Sequence, residues 1–155
     1  MAQITGPLSG AARDTVAEAL QGALVDLIDL SLVAKQAHWN VVGPHFRPLH
    51  LQLDELTAVV REHADTIAER AVALGVNPDG RSATVAESTR IRQPEHGWLE
   101  DGKVVVTITE ILEGVSQRMR ERIEATDEPD PVSQDLLIAV AQEIDKQHWM
   151  FQAQR

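Results

Sequence analysis

Cysteine is absent from the 155-residue chain, which excludes disulfides, zinc–thiolate centres and cysteine nucleophiles. Tyrosine is absent as well, and glycine is sparse. No apolar run approaches the roughly 20 residues that a membrane span requires, so no membrane segment is expected. The opening MAQITGPLSGAARDT has no basic start followed by an apolar stretch, so no leader peptide is expected either, and the chain reads as cytoplasmic. Positive charge is in short supply. Fourteen Lys and Arg stand against 24 Asp and Glu, for a formal net charge of −10. That balance argues against a general nucleic-acid surface and is compatible with attracting cations. The first twenty residues hold one basic side chain, Arg13, and the last ten hold only Lys146 and Arg155. Neither terminus offers the clustered cations that phosphate contacts need.

What the chain does have is leucine, alanine and valine at helical spacing. Its length suits a single domain over 1–155 with a short tail of about ten residues at the start. Four long helices are predicted. In the first, Leu20, Ala23, Leu24, Leu27 and Ile28 share a face; Thr15 to Glu18 reads as a capping box, and the helix should stop near Asn40, before Gly43-Pro44. The second should open near Pro48 and end at Gly75, with Leu49, Leu53, Leu56, Val60, Ile67, Ala71 and Leu74 forming the seam of a bundle. The third should run from about Val104 to Ala125 around Ile108, Ile111, Leu112, Val115, Met119 and Ile123. The fourth opens at Asp130-Pro131, an N-cap followed by proline, and carries Leu136, Leu137, Val140, Ile144 and Phe151. Short first and last links make antiparallel hairpins. The long stretch 75–103 must cross between them, with Thr84 to Glu87 as the capping box of one short helix. A bundle with one long crossover is the ferritin-like wiring.

Three of the six histidines fall within AHWNVVGPHFRPLH: His38, His45 and His50. The tight bend at Gly43-Pro44 should bring His38, in the last turn of one helix, near His50, in the first turn of the next. Asp54 follows His50 by one turn, and Asp65 and Glu69 form a second pair four residues apart on the same side of that helix. Imidazoles with carboxylates suit iron or manganese, and also zinc. Spacing alone leaves a plainer reading open, in which the histidines sit at helix ends and the acids form a solvated face. Asp54 and Asp65 are eleven residues apart, about 16 Å along the axis, so one chain cannot gather all five around one ion. Two copies packed antiparallel about a two-fold axis can. No Glu-x-x-His occurs anywhere, which argues against a single-chain di-iron bundle. Asp145-x-x-His148 comes nearest and reads as surface.

KQAHWNVVGPHFRPLHLQLDEL followed by EHADTIAERAVALG closely resembles the Dps family, the mini-ferritins named as DNA-binding proteins from starved cells. The likeness continues through the crossover and the DLLIAVAQEIDKQHWMF ending. It implies a hollow shell of twelve four-helix bundles that oxidises Fe²⁺, usually with H2O2 and more slowly with O2, and stores ferric mineral, protecting the cell from oxidative damage. The family's ferroxidase ligands fall on His38, His50 and Asp54 from one subunit and on Asp65 and Glu69 from its two-fold mate, with Trp39 beside the site as an interceptor of reactive oxygen. Lys35 either pairs with the site's carboxylates or stays a surface lysine; His45 reads as a loop residue and His63 as a core or interface histidine. At least one of Asp127, Glu128, Asp130 and Asp135 is expected to border an iron entry pore, although acids at a helix start also complement its dipole. Family members that bind DNA commonly use a lysine-rich tail, which this chain lacks, so DNA binding is doubted. The alternative is a nucleoid-associated DNA-binding protein with secondary iron chemistry.

Overall fold

The computed structural model describes residues 4–155. Among the described residues there are five helices and one minimal strand pair: α1 (Gly10–Asn40), β1 (Val41–Val42), α2 (Phe46–Ala73), α3 (Ser82–Ser88), β2 (Leu99–Glu100), α4 (Asp101–Thr126) and α5 (Pro131–Gln152). The long helices pair as the hairpins α1–α2 and α4–α5, and α1 also lies on α4 and α2 on α5. This is an all-α four-helix bundle with the ferritin-like wiring expected from the link lengths.

The seam residues close the core. Leu20, Leu27, Leu53, Leu56, Val60, Leu74, Leu112, Val115, Met119, Leu137, Ile144 and Phe151 are all fully buried, while Ile28, Ile123 and Leu136 pack against them half-exposed. Between α2 and α4 the crossover runs the length of the bundle. It leaves at Gly75, where φ is +71, and returns to the other end, where β2 pairs in parallel with β1, Val41 against Leu99 and Val42 against Glu100.

Three helix starts differ from the sequence reading. α1 begins at Gly10 with Ser9 as N-cap, five residues before Thr15. The apolar face simply continues upstream: Val16 is fully buried, Leu8 packs on the core, and Arg13 donates to the Gly75 carbonyl at 3.1 Å. The Thr15–Glu18 box is therefore helix interior. α3 begins at Ser82, and Thr84 does not cap it; its hydroxyl donates to Asp79 at 2.8 Å. Asp79 also accepts from the Arg81 amide and guanidinium, so it is the stronger acceptor, and those bonds hold its carboxyl far below the usual range. α4 starts at Asp101 rather than near Val104. Pro48 sits in the first turn of α2, where its missing N–H costs nothing. At α5 the expected cap is present, with Asp130 accepting from the Ser133 amide at 3.3 Å.

Candidate metal centre

The bend between α1 and α2 is built by backbone constraint. Gly43 has φ of +134, and a Cβ there would lie 2.6 Å from the Asp101 carboxyl carbon, so glycine alone fits. Asp101, the first residue of α4, accepts from the His45 amide at 2.7 Å and from its Nδ1 at 3.1 Å. The His45 backbone bond is foremost in lowering the Asp101 carboxyl below its ordinary value. His45 is thus the loop residue that ties the bend to α4.

Folding back this tightly brings His38 and His50 face to face. Their rings stack with centroids 3.7 Å apart and planes 18° from parallel. His38 Nδ1 donates to the His50 carbonyl at 2.7 Å, and His50 Nδ1 donates to the His38 carbonyl at 2.8 Å. A carbonyl oxygen has no proton to give, so in the neutral rings Nδ1 carries the hydrogen and both Nε2 lone pairs are left free. Fixing the tautomer through a backbone acceptor is how metal-binding histidines are commonly oriented. His38 is buried, and the Phe46 ring packs against His50 at a tilt of 34° with ring centroids 4.9 Å apart.

One turn beyond His50, Asp54 stands half-exposed and is paired with Lys35 of α1. The Lys35 hydrogen bond is the main cause that lowers the Asp54 carboxyl, so Asp54 is ionised at neutral pH. Lys35 is therefore a partner of the site and not a free surface lysine. Trp39 follows His38 and is 63% exposed.

Further down α2, Asp65 and Glu69 are exposed on its open side. Fifteen residues separate His50 from Asp65, about 22 Å of straight helix. Among the described residues of one chain, no three histidines or acids converge on a common point. One chain thus presents two separate half-sets: His38 of α1 with His50 and Asp54 near the start of α2, and Asp65 with Glu69 toward the other end of α2.

The acidic turn between α4 and α5 divides. Asp127, Glu128 and Asp135 are exposed, and Asp127 also accepts from Gln134 at 3.0 Å. Asp130 is buried, caps α5 and pairs with Arg70 of α2 at 2.7 Å. Elsewhere, His63 is half-buried, and Asp145 and His148, expected at the surface, are half-buried too, with Asp145 held by Ser116 and Arg120 of α4. Sequence reasoning missed Arg70 and Asp101. The only available signal was their position: one directly after Glu69, the other at a helix start.

Comparison with known proteins gives a consistent result. The family model for the ferritin-like domain matches residues 17–155. The "DNA protection during starvation protein" of Mycolicibacterium smegmatis is 36% identical over 149 residues, covering 94% of this chain and 80% of that protein. The "DNA protection during starvation protein 2" of Deinococcus radiodurans is 35% identical over 88% of this chain, although the matched stretch spans only 56% of that longer protein. Among solved structures, Dps from Microbacterium arborescens "in the high iron form" superposes with a TM-score of 0.91 at 31% identity, covering 97% of both chains.

Proposed function

The chain belongs to the ferritin-like family and, within it, to the Dps proteins, and from that premise we propose that it is an iron-storing ferroxidase whose sites form between two subunits. The observation that carries the proposal is the pair of half-sets, one at the α1–α2 bend and the other far down α2. Each is too small to hold iron alone, and their separation of about 22 Å lets a two-fold copy bring the far pair of one chain to the near group of another. His38, His50 and Asp54 come from one subunit, Asp65 and Glu69 from its mate. Imidazole nitrogen with carboxylate oxygen suits ferrous iron as a substrate, and the carboxylates favour the ferric product. The solved high-iron form of the Microbacterium arborescens relative supports iron as the metal.

Each Fe²⁺ gives up one electron. Two of them with two protons reduce one H2O2 to two waters, so no hydroxyl radical leaves the site; O2 serves as the slower oxidant. His38 and His50 present preset Nε2 donors. Lys35 neutralises Asp54 until a cation displaces it. Trp39 is exposed next to His38, and in this reading it gives an electron to a stray oxidant. The oxidised iron collects as mineral inside a closed homo-oligomer of twelve chains in the cytoplasm. Iron enters past the exposed acids of the α4–α5 turn, chiefly Asp127, Glu128 and Asp135. Protection of DNA follows from removing Fe²⁺ and peroxide together and needs no coat on the duplex.

Sizing the protein and then adding Fe²⁺ with peroxide tests this reading. Twelve chains of 17.1 kDa come to about 205 kDa, the copy number being fixed by closed symmetry. A monomer or dimer that develops no ferric absorbance would sink the proposal.

A further inference from the structure

The half-set at the α1–α2 bend and the half-set far down α2 are held in place very differently. His38, His50 and Asp54 are fixed by reciprocal backbone hydrogen bonds and by Lys35. This half of α2 also buries large side chains, namely Leu49, Leu53, Leu56 and Val60. Around Asp65 and Glu69 the buried face is mostly alanine: Ala64 and Ala71 flank Ile67, and Ala68 is only partly covered. Methyl groups slide past a neighbouring helix with little change in contact, so they define the rotation of α2 about its axis poorly. Yet rotation decides where the two carboxylates point. A turn of about 20° moves a carboxylate that lies about 6 Å from the axis by about 2 Å.

A directional contact supplies what the alanines do not. Arg70, the residue after Glu69, points away from the open side of α2 and into the first turn of α5. Its Nη2 donates to Asp130 at 2.7 Å and its Nε donates to the Ser133 hydroxyl at 3.0 Å. The pair is largely sealed, with side-chain exposures of 17% for Arg70 and 8% for Asp130. Asp130 is itself fixed, because it accepts from the Ser133 amide as the cap of α5. Two donors of one planar fork thus meet two acceptors on one helix turn, and that fixes both position and angle.

We propose that Arg70, through Asp130 and Ser133, is the positioning residue that aims Asp65 and Glu69 at the partner's half of the shared site. It touches no iron; it acts through the rotation of α2. Sixteen residues separate it from Asp54, about 24 Å along the axis, so the histidine half of its own chain is out of its reach. The assignment rests on the shared-site reading above.

The test sorts a lesion by the half-site it damages, which a general loss of stability would not do. Assembled Arg70→Gln shells should oxidise Fe²⁺ about tenfold more slowly or worse, since misplacement by 1 Å can cost about a hundredfold. Arg70→Lys should not restore the rate, because an ammonium cannot reproduce the fork. Subunits of Arg70→Gln co-assembled with His50→Ala should recover about a quarter of the wild-type rate, because about half the two-fold pairs are mixed and each mixed pair holds one intact site. Co-assembly with Asp65→Ala should recover nothing, since both lesions then fall in the same half. Recovery with Asp65→Ala, equal behaviour with both partners, or a wild-type rate in Arg70→Gln overturns the assignment. Should Arg70→Gln fail to assemble, Ser133→Ala removes one acceptor of the fork and must sort the same way. The control mixes His50→Ala with Asp65→Ala. Its failure overturns the shared site and this assignment together, whereas a working control with unsorted Arg70 variants overturns this assignment alone.

Discussion

His38 and His50 lock each other. Each ring donates its Nδ1 hydrogen to the other residue's backbone carbonyl, at 2.7 and 2.8 Å, and the rings stack between those bonds. The same contacts close the helical hairpin and free both Nε2 atoms. The structural role and the proposed chemistry therefore fall on different nitrogens and can be separated. Asparagine places an amide donor near the Nδ1 position but offers nothing at Nε2. His50→Asn should stay within about 1 kcal/mol of wild type in unfolding, the worth of one hydrogen bond, while losing most Fe²⁺ oxidation. His50→Ala, which removes the donor as well, should lose the activity and unfold more readily than His50→Asn while still assembling. Thermal unfolding beside a ferroxidase assay checks this, and an active His50→Asn would remove the imidazole from the site.

Acid should loosen the α2–α5 joint. Burial by itself would raise the Asp130 carboxyl, but hydrogen bonds from Arg70 and Ser133 outweigh it and leave the group below its ordinary value. A carboxylate whose folded value is depressed adds stability that is complete above about pH 4, its unfolded value, and that fades as pH falls through the lower folded value. Asp130→Asn keeps a capping side chain but removes the charge. Its stability should fall less steeply than that of wild type below pH 4 while being lower at pH 7, where Arg70 is left without its counter-ion. Parallel acid titrations of unfolding would contradict the joint's role.

Much of this arrangement is legible in the sequence because it depends on short-range periodicity. The seam from Leu49 to Leu74, the Asp130-Pro131 start of α5 and the long crossover all follow from spacing and turn chemistry. So does the division of α2 into two half-sets, since helical rise alone separates Asp54 from Asp65. What the sequence hides is mostly long-range. Thr15 and Thr84 carry the local signature of a cap, yet Val16 packing and the Asp79 carboxylate set the actual helix starts. Nothing near Arg70 in the chain marks Asp130, sixty residues on, as its partner. Likewise, Asp101 becomes visible as the anchor of the bend only once β1 and β2 meet.

Entry should depend on the exposed acids of the α4–α5 turn. Neutralising Asp127, Glu128 and Asp135 together, while leaving Asp130 in its joint, should slow uptake several-fold at low Fe²⁺ and weaken its dependence on ionic strength, because screened attraction is what draws cations in. Stopped-flow uptake at two salt concentrations gives the comparison. An unchanged rate in an intact shell would place the entry elsewhere.

Duplex DNA should remain unshifted near physiological salt. The first twenty residues carry only Arg13, and few cations means little counterion release on binding. A mobility-shift series from low to moderate salt checks this. A clear shift at the higher salt would assign binding to surface arginines such as Arg90 and Arg92, both exposed on the crossover.

The shared site itself is tested most directly by mixing two dead shells. His50→Ala and Asp65→Ala should each assemble and each lose activity. In a mixed two-fold pair one site collects both lesions and the other receives two intact halves, so equal co-assembly should restore about a quarter of the wild-type ferroxidase rate. If all five ligands came from one chain, every site would keep one lesion, and verified mixed shells would remain inactive.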